Sequence, residues 1–310
     1  MISQKYLITV VGPTAIGKTS LAIALAKHYK TVIISADSRQ FYREMDIGTA
    51  VPTKEELNAA PHYFIQHKSI FDTYTVGDFE SDAVALLSEL FEKHTVVIMV
   101  GGSGLYINAV IKGLDDFPEV SPIVREKLNY QYKAEGIHIL QTQLKKLDPE
   151  YYKTADIQNP HRVIRALEIC IGTNKPFSSF LKKQSKNRMF NSVLVGLTVD
   201  RDILYDQINK RVDRMMEEGL LEEVKRLDKY KNLNALQTVG YKELFNHLEN
   251  KCSLKGAIEE IKKNTRRYAK RQLTWFRKNS AIKWFDHKTD LQNIINDIDC
   301  TIKNTPQQIP

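Results

Sequence analysis

A glycine-rich segment near the start of the sequence has the spacing of a phosphate-binding loop. The pattern G-x-x-x-x-G-K-[ST] is matched by Gly12, Pro13, Thr14, Ala15, Ile16, Gly17, Lys18 and Thr19. Glycines allow backbone N–H groups to approach phosphate oxygens, and the start of the following helix adds a positive dipole. Lys18 adds a charge, and the Thr19 hydroxyl is suited to Mg²⁺. We therefore predict that 12–19 binds phosphate groups, with Thr19 as the metal ligand.

A single aspartate follows the second predicted strand. The apolar run 32–35 ends just before Asp37, and ligands of open parallel sheets bind at the carboxyl ends of the strands. A motor-type ATPase usually carries an acid after a further strand, but the run 95–100 ends in Gly101-Gly102. The pattern therefore favours a transferase in which Asp37 acts as a base on an acceptor. A cap on the following turn is the alternative role for Asp37.

Positive charge is concentrated in one stretch near the C-terminus. The net charge is +8, and between Lys255 and Lys283 ten lysines and arginines stand against two glutamates. A helix predicted over 258–276 would pack through Ile258, Ile261, Thr265, Tyr268, Gln272 and Trp275. Beside that face lie Lys262, Lys263, Arg266, Arg267, Lys270 and Arg271. A localised basic surface with few acids is typical of nucleic-acid binding, and a merely solvated helix face is the alternative.

Alternation of strand and helix patterns predicts the fold class. Runs 6–11, 32–35, 95–100 and 193–199 are apolar and strand-like, and helical patterns cover 20–29, 79–92 and 202–218. Such βαβ units predict an α/β fold, namely a P-loop NTPase-like parallel sheet flanked by helices. The face of the first helix is expected to hold Leu21, Ala24, Leu25 and His28.

Residues 116–189 have a different pattern. They contain no buried strand run and are divided by Gly136, Pro149 and Asn159-Pro160. A helix over 161–171 should begin at Pro160 and end at Gly172. We therefore predict a small all-helical insertion domain at 116–189 within a core domain formed by 1–115 plus 190–310.

Composition limits the class of protein. The chain is 42% hydrophobic and 26% charged, as in ordinary globular proteins. It has neither an apolar run of about 18 residues nor a secretory signal pattern, so we expect no membrane segment. Cys170, Cys252 and Cys300 lack metal-finger spacing. Free thiols in a reducing cytoplasm are the simplest expectation.

Several long segments, in this order along nearly the whole chain, resemble those of the bacterial tRNA dimethylallyltransferase (isopentenyl-diphosphate:tRNA transferase) family. The matching segments are 12–19, 35–50, 101–107, 159–168, 208–213, 237–243 and 264–276. The resemblance implies transfer of a dimethylallyl group from dimethylallyl diphosphate to N6 of the adenosine 3′-adjacent to the anticodon. The substrates would be tRNAs reading codons that begin with U, the modified base tRNA position 37, and the by-product diphosphate.

The resemblance also implies roles for individual residues. Asp37 would be the general base, and Lys18, the loop amides, Thr19 with its Mg²⁺ cofactor and Arg211 would neutralise the departing diphosphate. Both concerted attack and an allylic cation are compatible with this arrangement. The enzyme would be a cytoplasmic monomer.

The target adenine must leave the anticodon loop to react, so base flipping is expected. The insertion domain 116–189 would grip the anticodon stem-loop. The family-matched tRNA contacts are Asp37, Ser38, Arg39, Gln40, Ser103, Arg125, His161, Arg162, Val163, Ile164, Arg165, Gln237, Thr238, Val239, Gly240, Tyr241 and Lys242.

Two other functions share parts of this pattern. A P-loop kinase of small molecules would have the loop and the acid but no need of a basic C-terminal stretch. A non-catalytic RNA-binding protein with an inactive loop would bind tRNA irrespective of Asp37 and yield no product.

Overall fold

A computed structural model describes residues 4–181 and 186–305. The chain forms two compact units. The first combines residues up to Lys112 with those from Arg188 onward, and the second is Gly113–Asn187. The role of the second unit in holding tRNA stays a prediction. Within the described residues, no helix combines the length and apolar composition needed to cross a membrane.

A six-stranded sheet forms the centre of the first unit. Its strands are β1 (Tyr6–Val11), β2 (Ile33–Ser35), β3 (His62–Tyr63), β4 (Val96–Val100), β5 (Asn191–Thr198) and β6 (Lys283–Asp286). The order is β3-β2-β4-β1-β5-β6, and every pair of neighbours is parallel, which confirms the predicted parallel sheet. The edge strands β3 and β6 were not predicted, because they are short and only partly buried.

Helices connect and cover the strands. They are α1 (Lys18–Tyr29), α2 (Lys54–Ala59), α3 (Val76–Lys93), α4 (Gly104–Lys112), α5 (Pro122–Glu135), α6 (Ile137–Leu147), α7 (Pro149–Thr154), α8 (Pro160–Thr173), α9 (Arg201–Glu217), α10 (Leu220–Leu227), α11 (Tyr241–Leu248), α12 (Leu254–Phe276) and α13 (Leu291–Asn304). Short 3-10 turns lie at Ile47–Thr49, Phe177–Phe180, Asp228–Tyr230 and Asn234–Leu236.

Both faces of the sheet are covered, which is why β1 is apolar at nearly every position. Ile8 and Val10 point into a core shared with α1 and α13, whereas Leu7 and Val11 point into a core shared with α3 and α4. The face predicted for α1 is partly wrong, because His28 is exposed. The helix buries a broader surface that includes Ala22, Ile23 and Ala26.

The buried face of helix α12 overlaps only partly with the predicted one, which it shares at Ile261 and Gln272. Ala257, Ile261, Ala269, Gln272 and Phe276 are buried, whereas Tyr268 is 36% and Trp275 is 38% exposed. The small side chains of Ala257 and Ala269 allow close approach of neighbouring elements. A prediction from apolar periodicity underestimates the burial of such alanines and overestimates the burial of aromatic residues.

A buried carboxylate ties the segment after β2 to the C-terminal helices. Glu223 of α10 is 2% exposed. It accepts hydrogen bonds from the N–H groups of Asp46 (3.1 Å), Ile47 (2.8 Å) and Gly48 (3.1 Å) and from the Tyr241 hydroxyl (2.5 Å). A Cβ at Gly48 would lie closer than 3.0 Å to the Tyr241 ring. Tyr241 is thus a core residue whose hydroxyl is fully used.

Helices α5 to α8 form the second unit around a core of its own. Leu128, Leu140 and Leu167 lie in that core. Helix α8 begins at Pro160 as predicted but does not end at Gly172. It continues to Thr173, and Asn174 closes it in a left-handed conformation, φ 55°. Gly172 instead serves packing, since a Cβ there would lie closer than 3.0 Å to Val120.

The Glu223 contacts predict a large effect on stability. Glu223→Ala would leave three backbone donors and a tyrosine hydroxyl without their acceptor, at a cost of about 3 kcal/mol. Glu222→Ala is the matched control, because the neighbouring Glu222 carboxylate is exposed and pairs with Lys225. Urea unfolding should show a clearly lower midpoint for Glu223→Ala alone; equal midpoints for both variants would contradict the assignment.

Candidate active site

The segment 12–19 has the geometry of a phosphate-binding loop. It follows β1 directly, and Gly17, at φ 93°, is the N-cap of α1. Gly12 has φ 148°, and a Cβ there would lie 2.9 Å from the Leu197 carbonyl oxygen. Ile16 is buried in the core and anchors the loop. The Lys18 ammonium donates to the Pro13 carbonyl oxygen at 2.7 Å, so its charge is held close to the loop amides.

Asp37 lies just beyond the carboxyl end of β2. Its Oδ1 accepts a hydrogen bond from the Arg39 N–H at 3.1 Å, so the turn-capping role considered from sequence is present. Within the described residues no hydrogen bond reaches Oδ2. The turn therefore fixes the orientation of the carboxylate and leaves one oxygen for a ligand.

One pocket brings the predicted phosphate-loop residues and the aspartate together. Thr14, Lys18, Thr19, Asp37 and Arg211 all line it. Gln40 also lines it, but its amide is engaged with the Ala50 carbonyl oxygen at 2.8 Å. Lining residues that were not predicted as site residues are Ser35, Ala50, Pro52, His62, Ile65, Val100, Gly101, Tyr268 and Gln272.

Burial of two cations beside one carboxylate sets the electrostatics of the pocket. Burial lowers the pKa of Lys18 to about 8; Asp37 opposes this shift, and Arg211 adds to it. Burial also lowers the pKa of Arg211, and Asp37 opposes that shift as well. The pocket therefore holds more positive than negative charge at neutral pH, which favours a multiply charged anion.

The pocket has oxygen donors suited to a Mg²⁺ ion that is also bound by phosphate groups. The Thr19 hydroxyl and the Asp37 carboxylate line the same space. Among the described residues no group of three or more His, Cys, Asp and Glu side chains could form a metal site. Mg²⁺ at such a place is held by one or two protein oxygens together with phosphate oxygens and water.

Two of the unpredicted lining residues carry ionisable side chains. They were not predicted because only the fold brings them to the pocket. The Nδ1 of His62 lies 2.8 Å from the Ala60 carbonyl oxygen, and Nε2 is buried without a partner among the described residues. Burial lowers the pKa of His62. Tyr268 lines the same pocket as Asp37, and burial, together with the nearby Asp37 carboxylate, raises its pKa to about 12. No motif marks β3, on which His62 lies.

Of the other predicted tRNA contacts in the first unit, some are already engaged. The Ser38 N–H donates to the Ser103 hydroxyl at 3.2 Å, next to the pocket. The Arg39 guanidinium donates to the Asn234 and Ala235 carbonyl oxygens. Gln237 donates to the Lys231 carbonyl oxygen at 2.6 Å.

The rest of that segment lies outside the pocket lining. Thr238 and Val239 are half-buried, Lys242 is exposed, and the Gly240 N–H donates to Glu243. The buried side chain of Tyr241 contradicts a direct side-chain contact with RNA.

The predicted contacts in the second unit fall into two groups. His161 and Arg162 are exposed at the start of α8, and Arg125 and Arg165 both bind the buried Glu168 at 3.0 Å. The side chains of Val163 and Ile164 are buried in the core. Their burial contradicts side-chain contact with RNA, because the apolar face of α8 packs inward.

The basic stretch divides into paired and unpaired cations. Lys262 pairs with Asp213 and Lys263 with Glu260, and Arg266 donates to Asn209 at 2.7 Å. In the described part of the chain, no ion pair is found for the exposed Lys270 and Arg271. Unpaired positive charge is therefore present toward the C-terminal end of α12, near Tyr268.

The lowered pKa of Lys18 predicts a pH dependence for anion binding. The ammonium is mostly charged near pH 7 and loses its proton as the pH rises through about 8. Affinity for inorganic diphosphate should therefore fall by up to about tenfold between pH 7 and 9. Lys18→Arg stays charged over this range and controls for ionisation of the diphosphate. Calorimetric titration measures the affinity at each pH. Parallel pH profiles for the two proteins would contradict a lowered pKa for Lys18.

Comparisons with known proteins agree with this geometry. A model of the IPP transferase family matches residues 40–279. A tRNA dimethylallyltransferase of Christiangramia forsetii is 61% identical over 299 residues, covering 96% of this chain and 99% of the relative. The crystal structure of the full-length tRNA isopentenylpyrophosphate transferase of Bacillus halodurans has 40% identity and a TM-score of 0.72, with 97% of each chain covered.

A second structural match comes from a eukaryotic dimethylallyltransferase acting on tRNA. It has 26% identity and a TM-score of 0.81, and the match covers 99% of this chain and 81% of that one. The sequence similarity extends over nearly the full length of the chain, and the fold is similar as well. This chain belongs to the IPP transferase family.

Proposed function

We propose that this chain is a tRNA dimethylallyltransferase. It transfers the dimethylallyl group of dimethylallyl diphosphate to N6 of the adenosine that follows the anticodon. The observation that carries this proposal is one pocket that contains both an anion site, formed by Lys18, Thr19 and Arg211, and a carboxylate, Asp37. Membership of the family supports tRNA and dimethylallyl diphosphate as the two substrates, and the pocket has groups suited to both.

The proposed reaction forms one bond and breaks one. The adenine N6 attacks the first carbon of the allyl group, the C–O bond to the diphosphate breaks, and Asp37 accepts a proton from N6. An exocyclic amine has its lone pair delocalised into the ring and needs such a base. Lys18, Arg211 and the loop amides stabilise the charge that develops on the diphosphate. Bound Mg²⁺ at Thr19 would supply further charge neutralisation.

The remaining walls of the pocket suit a short hydrocarbon. Ala50, Pro52 and Ile65 line it together with His62. Because His62 is held neutral by burial, this side presents no charge to an apolar group. We propose that the dimethylallyl group lies here, which would exclude water from the reacting carbon.

The RNA is proposed to approach over α12. Lys270 and Arg271 would contact phosphates. Arg271 lies over the partly exposed ring of Tyr268, which lines the same pocket as Asp37. We also propose that the enzyme acts as a monomer in the cytoplasm. We also propose that Arg125, His161 and Arg162 of the second unit hold the anticodon stem.

The role of Asp37 predicts a selective loss of catalysis. With labelled dimethylallyl diphosphate and unmodified tRNA, Asp37→Asn should lower the transfer rate by about 10²–10⁴-fold. Its tRNA affinity should change little, because phosphate contacts dominate RNA binding. Asp206→Asn, which alters an exposed pair with Lys210, is the control. Unlabelled RNA with the wild-type protein, together with phosphate transfer from ATP, would favour the kinase alternative. Near-normal transfer by Asp37→Asn would remove Asp37 as the base.

The unpaired cations of α12 predict the salt dependence of RNA binding. Lys270→Ala with Arg271→Ala should weaken tRNA binding and reduce the slope of log K against log salt by about 1–2. Lys263→Ala, on the same helix but paired with Glu260, should leave the slope nearly unchanged. Filter binding across a salt series measures both. Identical slopes for all three proteins would assign this face to solvent.

A further inference from the structure

The glycines after β4 are explained by the elements that pack on them. A Cβ at Gly101 would lie closer than 3.0 Å to the Ala36 carbonyl oxygen. At Gly102 a Cβ would lie equally close to the Gln272 amide, and at Gly104 to the Trp275 ring. Two of these three neighbours belong to α12. The Gly-rich turn is therefore a docking surface for α12.

Gln272 joins this turn to the phosphate-binding loop. Its Oε1 accepts a hydrogen bond from the Thr14 N–H at 2.9 Å, and its Nε2 donates to the Gly102 carbonyl oxygen at 3.0 Å. The residue is 6% exposed. Because one partner is a donor and the other an acceptor, only one orientation of the amide satisfies both. A buried amide with both ends engaged has little freedom to move alone.

The opposite side of α12 faces solvent. Lys270 and Arg271 lie within one turn of Gln272 but on other faces of the helix, and both are exposed. The same short stretch of helix thus holds the phosphate loop through its buried side and presents cations through its exposed side. A ligand that fixes either side also restricts the other.

We propose that Gln272 is a positioning residue that couples the phosphate loop to the RNA-facing surface of α12, so that diphosphate and tRNA bind cooperatively. The inference rests on the proposed function, since it takes tRNA as the ligand of α12. Anion binding orders the loop around Thr14, and Gln272 transmits that order to the helix. By linkage, tRNA must strengthen diphosphate binding by the same factor.

The coupling factor is the ratio of the tRNA affinities measured with and without inorganic diphosphate, at one constant concentration of Mg²⁺. For the wild-type protein we expect diphosphate to tighten tRNA binding about fivefold or more. Gln272→Met keeps the length of the side chain but neither hydrogen bond, and should reduce the factor to below about twofold. Thr274→Ala is the control, because the Thr274 hydroxyl donates to the Lys270 carbonyl oxygen of its own helix; it should retain the wild-type factor.

A conservative variant provides a readout that loss of packing would not give. In Gln272→Glu the ionised carboxylate cannot donate to Gly102, so coupling should be lost at high pH. Burial raises the pKa of such a carboxyl, and the protonated acid can again donate to Gly102 and accept from Thr14. The coupling factor of this variant, divided by that of the wild-type protein at the same pH, should therefore rise as the pH falls.

If circular dichroism shows that Gln272→Met does not fold, the coupling factor is measured for Gly102→Ala instead. The added Cβ would displace the Gln272 amide without changing Gln272 itself. A wild-type protein without coupling, or folded variants that keep the wild-type factor, overturns the proposal. The binding measurement involves no group transfer. Failure of the labelled-transfer assay therefore refutes the proposed function separately, whatever the coupling factor.

Discussion

The parallel register of β1, β2 and β4 determines where the polar groups of the pocket lie. Adjacent parallel strands end at the same edge of the sheet, so the phosphate loop after β1, Asp37 after β2 and the Gly-rich turn after β4 meet there. Only Arg211, Tyr268 and Gln272 come from the C-terminal helices. The site is thus a sheet edge completed by side chains from α9 and α12.

The protein's own groups leave a net positive charge at this edge. Lys18 and Arg211 are buried near a single carboxylate, and desolvation disfavours both cations until a negative group enters. A negative group bound in this pocket is therefore stabilised by both cations. A leaving diphosphate, whose charge grows as the allylic C–O bond breaks, suits such a site better than a neutral substrate does.

Much of this arrangement could be predicted from sequence. The loop at 12–19 and Asp37 follow apolar runs that need no tertiary information, and the parallel sheet follows from their alternation with helices. His62 could not be found, because its two-residue strand has no pattern and its place depends on pairing with β2. Val163, Ile164 and Tyr241 were assigned to RNA contact by family position, although helix packing buries them. Arg266 belonged to a basic stripe in sequence, yet Asn209 occupies it in the fold.

Glu223 has a consequence for the entropy of substrate binding. By accepting three successive N–H groups at 46–48, it fixes the far end of the segment that begins at Asp37. Backbone freedom in this segment is therefore lost when the chain folds. Substrate association does not have to supply that ordering. In the proposed reaction, more of the free energy of contact with the RNA would then be available for extracting one base from its stack.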